Sequence, residues 1–110
     1  MDQATIVVDI PSKVNVTFDE MSTSFMQDPE YNRLFLLSVQ NHMNELLKIR
    51  GYVFVNEALD NLGLPRTRDG QLLGWSGGYV DFGLFDMPFG AGEPVGLSLN
   101  IDGVILDALR

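Results

Sequence analysis

The chain has no cysteine. That excludes disulfides and thiolate metal sites, and it leaves no sign of the redox compartment. Histidine occurs once, at His42, and one histidine without cysteine makes a poor transition-metal site. Tryptophan also occurs once, at Trp75. No apolar run approaches the ~20 residues of a membrane span, so no membrane association is expected. The opening "MDQATIVVDIPSK" lacks the basic and long apolar regions of a signal peptide. A cytoplasmic location is the expectation.

Positive charge is scarce. Seven Lys and Arg stand against fifteen Asp and Glu, a formal net charge of -8. Such a surface repels phosphate backbones, so nucleic acid is not an expected partner. The acidic residues are scattered rather than run together, which fits a solubilising role or a basic protein partner.

What is present fits one globular domain over 1–110. Hydrophobic residues make up 45% of the chain, enough to build a core. "TIVVDI" at 5–10 and "KVNVTF" at 13–18 predict two short strands, separated by Pro11–Ser12. Residues 19–28 fit a short helix or an irregular connection.

The strongest pattern predicts a helix over 29–50. Asp28 caps it, Pro29 suits the first helical position, and Glu30 faces the positive end of the dipole. Apolar residues recur at Tyr31, Leu34, Phe35, Val39, Met43, Leu46 and Leu47. Leu36, Leu37 and Ile49 widen the stripe, so the helix touches neighbours on two sides or turns one side to a partner. Gly51, after Lys48 and Arg50, ends it.

"NEALDNLG" at 56–63 predicts a two-turn helix capped by Asn56 and stopped at Gly63–Pro65. The following "RTRDG" makes a corner, and the chain then returns as strand up to Trp75. Strands are predicted over 79–85, 95–101 and 104–106, with a Gly- and Pro-rich loop over 86–94. The order gives an α+β fold: an antiparallel sheet of four to five strands, one long central helix, and one or two short helices on one face.

No motif reaches the standard of an active site. "GWSGG" at 74–78 matches G-x-S-x-G, but it leads into an expected strand rather than a helix. His42 also precedes Ser76, the reverse of the hydrolase order. A half-buried, hydrogen-bonded role is expected for His42. "NIDGVILD" at 100–107 lacks the bidentate Glu of a calcium loop. "GAGEPVG" at 90–96 fails the dinucleotide pattern at Val95. "NEALDNLGLPRTRDGQLLGW" has the look of a helix-turn-helix, but Asp69–Gly70 and Gly74 would break its second helix. No catalytic, metal or cofactor residue is assigned. Four residues remain as candidate partner contacts. Arg66 and Arg68 form a basic spot on an acidic chain, and Met87 and Phe89 are apolar residues on a loop.

Residues 31–75 carry a long "LL-x-x-Q" helix, then "RGYVF-x-NE", "LG-x-x-RT-x-x-G" and "GW"; "VDFG" and "DGVI" follow later. In these features the chain resembles uncharacterised small acidic proteins of bacteriophages and mobile elements in Gram-positive bacteria. The resemblance covers about two thirds of the chain. It implies no activity, cofactor or site residue. The expectation is a non-enzymatic protein acting by protein–protein contact, as an adaptor or inhibitor of a host or element protein. The alternative is a structural component that assembles as an oligomer in a virion or transfer apparatus.

Overall fold

The computed structural model describes residues 13–85 and 89–105. The strand expected over 5–10, Met87 and Asp107 lie outside them. The architecture is α+β, with two helices and two antiparallel sheets of two and three strands. Among the described residues, the strands that form thus divide between two sheets, and one sheet of four to five is not seen.

The first sheet pairs β1 (Val14–Phe18) with β4 (Val95–Leu99), with Val16 opposite Leu97. Alternation sets the inward face: Val95, Leu97 and Leu99 are buried while Gly96 is exposed. The second sheet is ordered β2 (Val53–Phe54), β3 (Leu73–Trp75), β5 (Gly103–Val104). Its centre permits no side chain at Gly74, because a Cβ there would collide with the Val53 carbonyl oxygen.

Helix α1 spans Pro29–Arg50, with the expected bounds and caps. Asp28 accepts from the Glu30 and Tyr31 N–H groups, and the Gly51 N–H closes on the Leu47 carbonyl. Its buried stripe is Asn32, Leu36, Val39, Met43 and Leu47, at spacings of three and four. Asn32 is tolerated in the stripe because its amide donates to the Met26 carbonyl and accepts the Met26 N–H. Tyr31 and Leu34, expected on the inward stripe, face solvent instead, as does Ile49.

Helix α2 spans Val55–Leu62 and packs on α1 and β2. Asn56 does not cap it. Glu57 instead accepts the Phe54 N–H, and Arg50 grips the same carboxylate at 2.7 and 2.8 Å, tying the start of α2 to the end of α1. Gly63 ends α2 in the left-handed conformation, φ 75°, and the Leu64 N–H bonds back to Leu59.

The corner follows directly. The Asn56 amide donates to the Thr67 carbonyl and accepts the Thr67 N–H. Thr67 in turn accepts the Gly70 N–H through Oγ1. A single 3₁₀ turn at Asp69–Gln71 then delivers the chain into β3. There is no second helix here, so the helix-turn-helix reading fails on the backbone itself.

Candidate interaction surface

The segment 79–85 was expected to be a strand. Its side chains do alternate: Val80 and Phe82 are buried, whereas Tyr79 and Phe85 are exposed. The backbone forms no ladder, however. It lies between β4 and α1, and its polar groups divide between them.

Toward β4, the Ser98 and Asn100 N–H groups donate to the Phe82 and Asp81 carbonyls. The Asn100 amide also donates to the Tyr79 carbonyl, and its Oδ1 accepts the Asp81 N–H at 2.7 Å. That same Oδ1 accepts the indole N–H of fully buried Trp75 at 2.8 Å. Toward α1, the Val80 N–H donates to Asn44 Oδ1 and the Phe82 N–H to Gln40 Oε1. The Asn44 amide returns a bond to the Val80 carbonyl at 2.9 Å.

Simple geometry explains the match. Residues four apart on a helix rise about 6.0 Å. Residues two apart on an extended chain advance about 6.6 Å. Gln40 and Asn44 therefore stand opposite Phe82 and Val80 with almost no mismatch. The Asp81 side chain closes the segment by accepting the Gly83 N–H at 2.7 Å. The backbone N–H and C=O groups of Val80, Asp81 and Phe82 are thus all paired without a regular strand ladder.

The clamp fixes an apolar face. Phe85 is 95% exposed and Tyr79 64% exposed. Beside them on α1 is Leu37, 38% exposed, and one helical turn from it is Leu34, 55% exposed. A groove of about 430 Å³ runs through this face, with Leu37, Tyr79 and Phe85 on its walls and Arg33 and Asp81 at its polar edge. Arg33 reaches Glu30 only at 4.0 Å and is otherwise solvent-facing. A larger groove of about 590 Å³ lies elsewhere, beside Asp19, Glu20, Met26 and Gly92.

Of the four residues singled out from the sequence, the three that are described, Arg66, Arg68 and Phe89, do not line the groove beside Tyr79 and Phe85. Arg66 is exposed and grips Asp60 through bonds of 2.6 to 3.2 Å. This pairing holds the Asp60 carboxyl below its ordinary range and raises the Arg66 guanidinium. Arg68 is exposed with no ion pair among the described residues. Phe89 is half-buried and packs against the core. Met87 lies outside the described residues.

The remaining motifs are structural. Ser76 and Gly77 donate backbone N–H groups to Asp102, so "GWSGG" is a turn pinned by a carboxylate. His42 is exposed on α1, not half-buried as expected. Among the described residues, no group of three His, Cys, Asp or Glu could hold a metal ion. No described helix is long and apolar enough to cross a membrane.

Sequence reasoning did not single out Tyr79 and Phe85 as exposed aromatics. The signal was there: in "YVDFGLF" both aromatics fall on the outward phase of the alternation.

The fold and this surface define a small α+β protein with two exposed aromatic residues, Tyr79 and Phe85, on either side of a hydrogen-bonded segment. The chain belongs to a family of unknown function (DUF6353), whose model matches residues 1–106. No curated protein and no solved structure matches it.

Proposed function

We propose that the chain is a non-enzymatic protein of a bacteriophage or mobile element that works by protein–protein contact. It acts in the host cytoplasm or in the virion. The observation that carries this reading is the exposed pair Tyr79 and Phe85, which flank a stretch, Val80–Phe82, whose backbone is hydrogen-bonded to α1 and to Ser98 and Asn100. Side chains on a fixed backbone lose little freedom on binding, so their burial goes into affinity. Aromatic anchors of this kind dominate interface energies. The contact face is therefore assigned to Leu34, Leu37, Tyr79 and Phe85; of the residues singled out from the sequence, Arg66 is engaged by Asp60 and Phe89 is half-buried.

In this reading the chain is an adaptor or inhibitor. Assembly as an oligomeric component of a particle or transfer apparatus is the second reading, favoured by the outward leucines of α1. The test is affinity capture from host cells carrying the element, with wild type and a Tyr79→Ser/Phe85→Ser double variant. A protein retained by wild type and lost with the variant supports the assignment. Equal retention by both places the contact elsewhere.

A further inference from the structure

We propose that the Leu34–Leu37–Tyr79–Phe85 face docks a second copy of this chain in a two-fold, isologous interface. The inference rests on reading this face as a contact surface, and it names the occupant.

Charge selects that occupant. The chain carries a net charge of -8, so two copies repel across most of their surfaces. The groove beside Asp19 and Glu20 has no basic residue on its lining, and two such grooves would repel each other. The aromatic face differs. Its polar edge holds one cation, Arg33, and one anion, Asp81. Under a two-fold axis, residue i of one copy meets residue j of the other, and j meets i. One copy's Arg33 then faces the other's Asp81, twice. Arg33 is free to do so, since its contact with Glu30 is long. Asp81 has spent only Oδ1, on the Gly83 N–H.

Area agrees with charge. Phe85 and Tyr79 together expose on the order of 300 Å². With Leu34 and Leu37 the face offers about 500 Å² per copy, so two copies bring together about 1,000 Å², where specific interfaces begin. A dimer of this size is weak and concentration-dependent.

The experiment is sedimentation equilibrium from about 10 μM to about 1 mM. Wild type, Phe85→Ser, Arg33→Glu, Asp81→Arg and an equal mixture of the two charge variants are compared. Wild type is expected to approach the dimer mass. Phe85→Ser raises the dimer Kd about a hundredfold, and each charge variant raises it about tenfold. Mixing the charge variants restores opposite charges at both ends, and the dimer returns. Arg33 is an exposed helix position, so its variant keeps the fold even if Asp81→Arg disturbs the turn at Gly83; circular dichroism checks both. A monomer at every concentration overturns the second copy as occupant. A dimer indifferent to all of these substitutions overturns this face as its interface. Loss of a captured host protein with Tyr79→Ser/Phe85→Ser, alongside a strictly monomeric wild type, would sink the dimer while keeping the contact surface.

Discussion

The Asn44 carboxamide closes both backbone hydrogen bonds of Val80, accepting its N–H at 2.7 Å and donating to its carbonyl at 2.9 Å. An asparagine on a helix thus does for a buried residue what a neighbouring strand would do in a sheet. Asn44→Leu is expected to orphan both groups and destabilise the chain by about 2–4 kcal/mol. Asn44→Asp keeps the acceptor, loses the donor and is expected to cost less. Urea denaturation orders the two variants, and equal costs would mean that the bond from the Val80 N–H to the retained oxygen contributes nothing.

Trp75 and Asn100 form a second joint. Trp75→Ala removes a fully buried ring and is expected to cost about 3–5 kcal/mol. Asn100→Leu is expected to cost about 2–4 kcal/mol, because it strips partners from the Trp75 indole N–H, the Asp81 N–H and the Tyr79 carbonyl. The double variant should cost less than the sum of the two, since they share a bond. Strict additivity in thermal or urea melts would contradict the shared role of Asn100.

Asp60 titrates below the ordinary aspartate range because Arg66 donates to its carboxylate. A depressed carboxyl favours the folded state above its unfolded pKa, and this contribution fades as pH falls through the lower, folded value. The pair is solvent-exposed, so the effect on stability is small. In Arg66→Ala the Asp60 carboxyl is expected to return toward its ordinary range, followed by NMR titration. An unmoved Asp60 would mean that the pair does not persist in solution.

Duplex DNA is not expected to bind near physiological salt. The second helix of a helix-turn-helix is replaced by a 3₁₀ turn and β3, Arg66 is occupied by Asp60, and the net charge opposes phosphate. Gel shifts with wild type and an Arg66→Ala/Arg68→Ala variant check this. Micromolar, salt-sensitive binding lost with the variant would restore a nucleic-acid role to the corner.

Local signals were legible wherever one element's own residues decide the outcome. Asp28, Pro29 and Gly51 bound α1, and Gly63 stops α2, because caps act within one turn. The 79–85 segment was not legible as an irregular element. Its alternation is a strand's, and only the tertiary approach of Gln40 and Asn44 diverts its N–H groups from a ladder. Tyr31 and Leu34 carry the right spacing for an inward stripe, but Asn32 and Leu36 take that side. A buried Asn is invisible in a hydrophobic pattern until its partner, Met26, is known. Phe85 and Phe89 look alike in sequence, aromatics near glycines, and only the fold separates an exposed Phe85 from a Phe89 half-buried against the core.

The contact face is tested most directly by an NMR dilution series from about 1 mM to about 10 μM. Shift changes are expected on the Leu34 and Leu37 methyls and the Tyr79 and Phe85 rings, with β1 and β4 unchanged. The same resonances should stand still in Phe85→Ser. Shifts that gather instead around Asp19 and Met26, or spectra identical at every concentration, would contradict self-docking through this face.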